Sequence, residues 1–450
     1  VSRYQAPKGT EDFLPPESAE LARLVGLFAG LAERSGFGLV VTPSFEDVEL
    51  FRHGVGPGSE IATEEMYEFS DKSNRRLALR PEGTASVVRA FIEHRPPLPF
   101  KGWYLASVFR YERPQAGRYR EHHQLGVEAL GSSDPYLDVE VIALLADLSS
   151  ALGLRRVELR LNSLGDSACR PGYLAALVEF FAGHAGDLCP DHAMRYAANP
   201  LRVLDCKKDA CRAVCERGAP RLSAFLCKPC AAHFESVTSG VDRLGLAFRH
   251  DESLVRGLDY YERTTFEFNS LALASAQNAI GGGGRYDGLV GSLGGPPTPG
   301  VGFGSGVERL LLAARAESST ALRSDRLGVF VIDLTGGGEA MALTAELRRA
   351  GISAERAFDD RSLKAQLKLA DRSGARLALI VGDDELASGV VSLRELRGGP
   401  TGNGPSGNGP SGNGPSAPPQ TGSQYGVPRD EILAFVRARL SGREIEEEKA

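Results

Sequence analysis

Apolar residues recur at helical spacing at Leu21, Leu24, Val25, Phe28 and Leu31, and the run closes at Gly36 before an apolar stretch, 37–41, that ends at Pro43. This pattern predicts a helix over 16–35, a turn and a strand. Strands are expected near 77–79 and 103–109, each after a short polar turn. A second amphipathic pattern over 135–152 leads into VELRLN, 157–162, whose strict alternation marks a strand open on one face. Alternation resumes in TTFEF, 264–268, and GVGFGSGVERLLLAAR, 300–315, reads as a glycine-rich strand entering a helix. Strands before and after residues 165–250 are expected to share one sheet, and the stretch between them to form an inserted helical module.

From about residue 326 the pattern changes. LGVFVIDL and ARLALIVG are buried strands, AMALTAELRRAG and RSLKAQLKLADRSG are helices, and their alternation predicts a small α/β unit. It is interrupted by GNGPS written three times over 402–416, inside a Gly/Pro/Ser/Asn-rich stretch at about 398–423. Such composition buries too little apolar surface to order itself, so a flexible loop between VVSLREL and GVPRDEILAFVRARL is expected.

Length and charge narrow the function classes. At 450 residues, 42% hydrophobic and 24% charged, the chain has the make-up of a globular protein of two or three domains. A net charge of -6 means that any polyanion must meet a local basic patch rather than a basic surface. No apolar run reaches the ~20 residues of a membrane span, and the first residues carry no apolar signal core. A cytoplasmic location is expected. All seven cysteines fall between Cys169 and Cys230, an odd number in one segment, which suggests thiols or a metal site rather than a disulfide framework.

Four stretches carry candidate chemistry. FRYERPQAGRYREHHQLGVE, 109–128, gathers Arg110, Arg113, Arg118 and Arg120 with His122 and His123; guanidinium forks suit phosphate oxygens, and a solvated charged hairpin is the plainer alternative. LVRGLDYYERTTFEF, 254–268, puts a cation, a glycine and tyrosine hydroxyls just before a strand, although the tyrosines could simply pack. IGGGGRYDGLV, 280–290, and GVGFGSGVER, 300–309, let backbone approach a ligand. The G-x-G-x-x-G string within the latter lacks a βαβ context, which argues against a dinucleotide fold. Cys189, His192, Cys227 and Cys230 have the two-residue gaps of a Cys3His zinc site, with Cys206, Cys211 and Cys215 as competing ligands and reduced thiols as the alternative. His122 and His123 are poor joint ligands, because adjacent side chains on a strand diverge.

Together PKGTEDFLP, VVTPSFEDVELF, EEMYEFSD, LRPEGTASVVRAF, FRYERPQAGRYREHHQLGVEALG, LVRGLDYYERTTFEF, GGGGRYDGL and GVGFGSGVERL resemble the signatures of the histidyl-tRNA synthetases, in their usual order and almost end to end. FR-x-E and G-x-G-x-x-x-E-R indicate class II synthetases in general; LVRGLDYY is specific to the histidine branch. The resemblance implies an α+β fold: an antiparallel six-stranded class II catalytic sheet over 1–322 with a helical module at about 165–250, and a C-terminal α/β anticodon-binding domain over 326–450. It implies a homodimer with the segment around Pro43 near the interface, and histidine, ATP, Mg2+ and tRNA(His) as partners.

By the same resemblance, Arg110 and Arg256 hold the α-phosphate and the substrate carboxylate from two sides, and Arg309 the distal phosphates. His122 stacks on adenine. Glu82, Thr84 and Gln124 surround the α-amino group, Glu128 and Tyr261 grip the imidazole nitrogens, and Tyr260 with the 281–285 run completes the wall. Arg113 and Gln115 meet the tRNA acceptor end. The nearest rival is the regulatory subunit of ATP phosphoribosyltransferase, a histidine-sensing paralogue that lacks the anticodon domain and degrades the LVRGLDYY-type string. A plain RNA-binding protein is the other, and it leaves Glu82 and Glu128 unexplained.

Overall fold

In the computed structural model, strand Glu121–Leu130 lies inside the larger sheet, with Leu125, Val127 and Ala129 fully buried on one face. The structure describes residues 4–441 apart from 57–58, 60, 205, 207, 256–259, 274–277, 323–326, 360 and 397–423. The chain forms two compact units, Val1–Arg323 and Ser324–Ala450.

The sheet of the first unit runs Gly38–Leu39, Phe100–Phe109, Glu121–Leu130, Gly300–Gly306, Ala279–Arg285, Glu262–Ser270, Val157–Ser163, Phe248–His250. Its six central strands are antiparallel to their neighbours. A short strand is added in parallel at each edge, so the sheet has eight strands where the resemblance implied six. Strands on either side of the insert do share this sheet, since Val157–Ser163 pairs directly with Glu262–Ser270.

One face of the sheet is sealed by three helices. Glu17–Arg34, Pro135–Ala151 and Val307–Ala316 bring Leu24, Phe28, Leu145, Leu148 and Leu310 onto Leu125, Val127, Phe266 and Phe303. The first helix carries Glu17 and Glu20 in its first turn and Arg34 in its last, in the sense its dipole favours. The second starts at Asp134, whose side chain accepts the Tyr136 N–H at 2.9 Å, with Pro135 in the first turn where no donor is missed. Because this face is closed by helices, ligands must approach the other.

A buried charge network ties the insert to the sheet. Asp138, on the Pro135–Ala151 helix, receives Nε2 of His233 at 2.8 Å, the Thr264 hydroxyl at 2.6 Å and the Arg285 guanidinium. Burial alone would raise the Asp138 carboxyl, but His233 and Arg285 hold it below its ordinary value. His233 belongs to helix Lys228–Arg243 of the insert, which also contains helices Arg170–Ala182 and Asp209–Glu216.

The second unit has a sheet ordered Ala354–Arg356, Val329–Asp333, Leu377–Val381, Val390–Glu395, Gln424–Pro428, the first three parallel and the rest antiparallel. Its apolar strands and helices Gly338–Arg349 and Leu363–Ser373 follow the alternation expected from sequence. The GNGPS repeats lie outside the described residues; the strands that bracket them pair with each other, Arg394 opposite Gln424. Among the described residues no helix is long and apolar enough to cross a membrane.

Candidate active site

The period-two geometry of Glu121–Leu130 sends alternate side chains to opposite faces. While Leu125, Val127 and Ala129 enter the core, His122, Gln124 and Glu128 point the other way, spanning about 20 Å at ~3.4 Å per residue. The facing strand Gly300–Gly306 makes room for them. A Cβ at Gly302 would overlap the Glu128 carboxylate, and one at Gly304 the Gln124 amide, so the glycine alternation in GVGFGSG clears space for side chains rather than cradling a dinucleotide.

At the His122 end lies a cavity of about 250 Å³, lined by Arg110, Arg118, His122, Gln124, Glu267, Gly281, Gly282 and Arg309 among others. Arg309 is fixed by its Nε on the Gly117 carbonyl at 2.8 Å and an Nη on Ala279 at 2.9 Å; Arg110 donates its Nε to Pro81 at 2.9 Å. Burial, then the charges of Arg110 and Arg118, pull the Arg309 pKa down. An anion between these guanidinium groups would relieve their repulsion. Burial, then Arg110 and Arg309, push the His122 imidazole down to about 3, so it faces the cavity as a neutral ring. His123 points to the opposite side, where its ring meets Glu308, so the two histidines share no ligand.

At the Glu128 end is a buried polar cluster. The Thr84 hydroxyl donates to Glu128 at 2.7 Å, the Tyr286 hydroxyl donates to the other carboxylate oxygen, and Tyr104 donates to Gln124 at 3.2 Å. Glu82 accepts the backbone N–H groups of Thr84 and Ala85 at 2.6 and 2.8 Å, which caps helix Thr84–His94. The Tyr260 and Tyr261 rings meet at a tilt of 51° with centroids 4.7 Å apart, and the Tyr260 hydroxyl is buried with no hydrogen-bond partner among the described residues. Burial raises the Glu128 carboxyl to about 8 against the hydrogen bonds of Tyr286 and Thr84, with Glu82 adding to the rise. Hydroxyl donors around a carboxyl raised to about 8 form a cluster that suits a heteroaromatic ring with two nitrogens.

The structure therefore brings together Arg110, His122, Gln124 and Arg309 around the cavity and Glu82, Thr84, Glu128, Tyr260 and Tyr261 in the buried polar cluster. Arg256 lies outside the described residues. Arg113 and Gln115 are exposed on the loop before the strand. One expectation changes. Arg285 forms no pocket wall: its guanidinium is fully buried on Asp138 and Asp287. Arg118, from the cationic stretch, pairs with Glu112 and Glu65 and lines the cavity. Tyr104, Tyr286 and Glu267 had not been singled out; the signal for Tyr104 is the glycine opposite it in register, Gly126, where a Cβ would strike the tyrosine ring.

The four ligands expected to form one zinc site fall into two groups. Cys189 and His192 sit with Cys206 and Cys211, whereas Cys227 and Cys230 sit with Asp166 and Cys169. Sequence spacing identified the i, i+3 pairs but not their partners across the module.

The histidyl-tRNA synthetase family model matches residues 9–165, and an anticodon-binding domain model matches residues 329–439. The chain is 50% identical over 394 residues to the histidine–tRNA ligase of Anaeromyxobacter dehalogenans, covering 87% of this chain and 94% of that protein. It is 47% identical over 448 residues to that of Streptomyces avermitilis, covering 98% and 100%. The chain belongs to the histidyl-tRNA synthetases. It is a class II aminoacyl-tRNA ligase, and its function is the ligation of histidine to tRNA. Apo histidyl-tRNA synthetase from S. aureus superposes with a TM-score of 0.76 at 32% identity, covering 96% of this chain and all of that one. A Bacillus halodurans protein described as an ATP phosphoribosyltransferase regulatory subunit/histidyl-tRNA synthetase shares the fold, with a TM-score of 0.59 and 21% identity over 82% of this chain. The regulatory-subunit reading is not favoured beside ligase relatives that match both units.

Proposed function

We propose that this synthetase activates histidine with ATP to histidyl-adenylate and passes it to the 3′ end of tRNA(His), with the polar face of Glu121–Leu130 serving as the common bench. The single observation that carries this reading is the order His122, Gln124, Glu128 along one face, with arginines at one end and the buried polar cluster at the other. Adenine lies on the neutral His122 ring. Arg110 and Arg256 take the α-phosphate and the amino-acid carboxylate, and Arg309 the distal phosphates. Glu82, Thr84 and Gln124 receive the α-amino group, while Glu128 and Tyr261, with Tyr260 beside them, hold the imidazole.

The histidine carboxylate is already an anion and attacks the α-phosphorus without a general base, expelling pyrophosphate. Negative charge then spreads over phosphoryl oxygens, where fixed cations lower the barrier most. The ribose hydroxyl of the tRNA end next attacks the adenylate carbonyl, its proton passes to a phosphate oxygen of the leaving AMP, and the ester to tRNA forms as the bond to AMP breaks. Mg2+ would be held by Glu267, a carboxylate lining the cavity beside Arg110 and Arg309, and would neutralise the ATP phosphates. A wider groove of about 840 Å³ continues from Arg110, Arg118 and Arg309 to Arg212 of the insert and supports an approach path for the acceptor end, with Arg113 and Gln115 at its loop.

The exposed Leu39, Val41, Phe45 and Phe69, with Val41 83% accessible, support a homodimer covering this edge. The reduced thiols and the tRNA substrate support a cytoplasmic location. Histidine-dependent ATP–pyrophosphate exchange tests the site: His122→Ala should raise the ATP KM at least tenfold and leave the histidine KM within twofold. A shift confined to the histidine KM would overturn the assignment of the two ends.

A further inference from the structure

Six of the seven cysteines converge in the insert in two sets of four ligands. In one, the donor atoms of Cys189, His192, Cys206 and Cys211 all lie within 4.8 Å of one another; in the other, those of Asp166, Cys169, Cys227 and Cys230 do. A tetrahedral zinc ion with Zn–S bonds of ~2.3 Å spaces its sulfurs about 3.8 Å apart. Edges to a nitrogen or oxygen ligand are slightly shorter, about 3.6 Å, and the observed ones lie near that: His192 Nδ1 is 3.2 Å from Cys189 Sγ and 3.6 Å from Cys211 Sγ, and Cys227 Sγ is 3.9 Å from both Asp166 oxygens.

The two sets are built alike. Each contains a pair spaced i, i+3 whose first member precedes a helix and whose second lies one turn inside it: Cys189 and His192 at Pro190–Arg195, Cys227 and Cys230 at Lys228–Arg243. Each pair is closed by a second pair from a distant segment. In each, the backbone N–H of the leading cysteine donates to a sulfur across the cluster, Cys189 to Cys211 at 3.4 Å and Cys227 to Cys169 at 3.1 Å. Such N–H···S bonds support thiolate ligands. Cys215, outside both sets, is the contrast: its thiol donates to the Val203 carbonyl at 3.7 Å, as a packed cysteine does.

We propose that the insert binds two structural zinc ions, one in a Cys3His site and one in a Cys3Asp site. Each site is filled by four protein ligands, so the ions cross-link chain segments and do no chemistry on substrates. Binding releases three thiol protons at each site, and histidine ligates as the neutral ring. The Cys3Asp complex carries the larger negative charge, and Arg263, 3.6 Å from Asp166, offsets it. Residues beside this second site also hold the backbone next to Tyr261: Leu164 N–H donates to the Arg263 carbonyl at 2.6 Å, and the Arg170 guanidinium donates to the Tyr261 carbonyl at 2.7 Å. The two ions would add cross-links to the buried apolar cluster of Tyr173, Leu177, Phe181, Val203 and Val214 in the same module.

The test is the metal content of the full-length chain purified without chelators. About two zinc ions per chain are expected, falling to about one in Cys189→Ser/Cys211→Ser and to about one in Cys227→Ser/Cys230→Ser, and unchanged in Cys215→Ser. Should a double variant fail to fold, cobalt loading of the wild-type chain gives the second reading: thiolate-to-cobalt charge-transfer absorption that saturates at two equivalents. Zinc at one or none per chain with no cobalt thiolate band, or zinc lost equally from Cys215→Ser, overturns the proposal.

Discussion

Glu308 accepts both the backbone N–H of His123, at 2.9 Å, and its ring Nδ1, at 2.8 Å, so one carboxylate fastens helix Val307–Ala316 to strand Glu121–Leu130. The neighbouring residue on each element, Arg309 and His122, faces the cavity. Glu308→Ala should therefore raise the ATP KM several-fold while the histidine KM stays within twofold, and cost about 1.5–3 kcal/mol, the range for hydrogen bonds to a charged group. The hydrogen bond to Glu308 raises the His123 pKa, so its stabilisation is complete below the unfolded histidine value of ~6.5 and is lost as pH rises through the folded one. Denaturant titrations at pH 6 and pH 9 should show the wild type and Glu308→Gln converging at the higher pH; a constant gap would contradict the latch.

The Glu128 carboxyl gives a second pH signature, of its own sign. Its folded value of about 8 lies above the ordinary 4.5, so the folded apo chain holds a proton that the unfolded chain has released. Stability from this group is full below pH 4.5 and declines as pH rises to about 8, by an amount on the order of a few kcal/mol. Glu128→Gln cannot ionise and should flatten that part of the Tm–pH curve. If both proteins lose Tm in parallel between pH 5 and 8, the carboxyl is not titrating there.

Room for Glu128 depends on the absent side chain at Gly302. A methyl group at that position overlaps the carboxylate, and the strand cannot yield because it is paired on both sides. Gly302→Ala should raise the histidine KM more than tenfold in pyrophosphate exchange with a smaller effect on ATP. The same substitution at Gly291, where an added Cβ meets nothing, controls for loss of glycine as such.

How far the sequence carried this picture depends on which interaction decided each element. Alternation located the strand Val157–Ser163, although its last three residues are buried on both faces rather than open on one, and continuous apolar runs located Val329–Asp333 and Leu377–Val381, which are buried throughout. Motif resemblance located His122, Gln124 and Glu128, and the structure adds that they form one face of one strand. Arg285 was misjudged because glycine neighbours imply ligand approach, whereas its partner Asp138 stands 147 residues away on a helix with no motif of its own. Metal-type ligands were misgrouped for the same reason: spacing reveals the i, i+3 knuckles, and only the fold decides which two meet. Asp138→Asn checks the first lesson, since removing one partner of a buried ion pair costs about 3–5 kcal/mol and the loss should appear in stability before it appears in KM.

Arg394 and Gln424, which flank the GNGPS repeats in sequence, are paired across neighbouring strands. The entropic cost of joining two fixed ends grows only with the logarithm of the number of residues between them, about 0.6 kcal/mol per doubling. Removing Gly402–Ser416, all three copies, shortens the 29-residue connection between Arg394 and Gln424 to 14 and should therefore stabilise the unit by well under 1 kcal/mol. Aminoacylation of tRNA(His) should stay within twofold of the full chain. A loss beyond tenfold in the tRNA KM, with pyrophosphate exchange intact, would instead give the repeats a part in tRNA binding that their composition does not suggest.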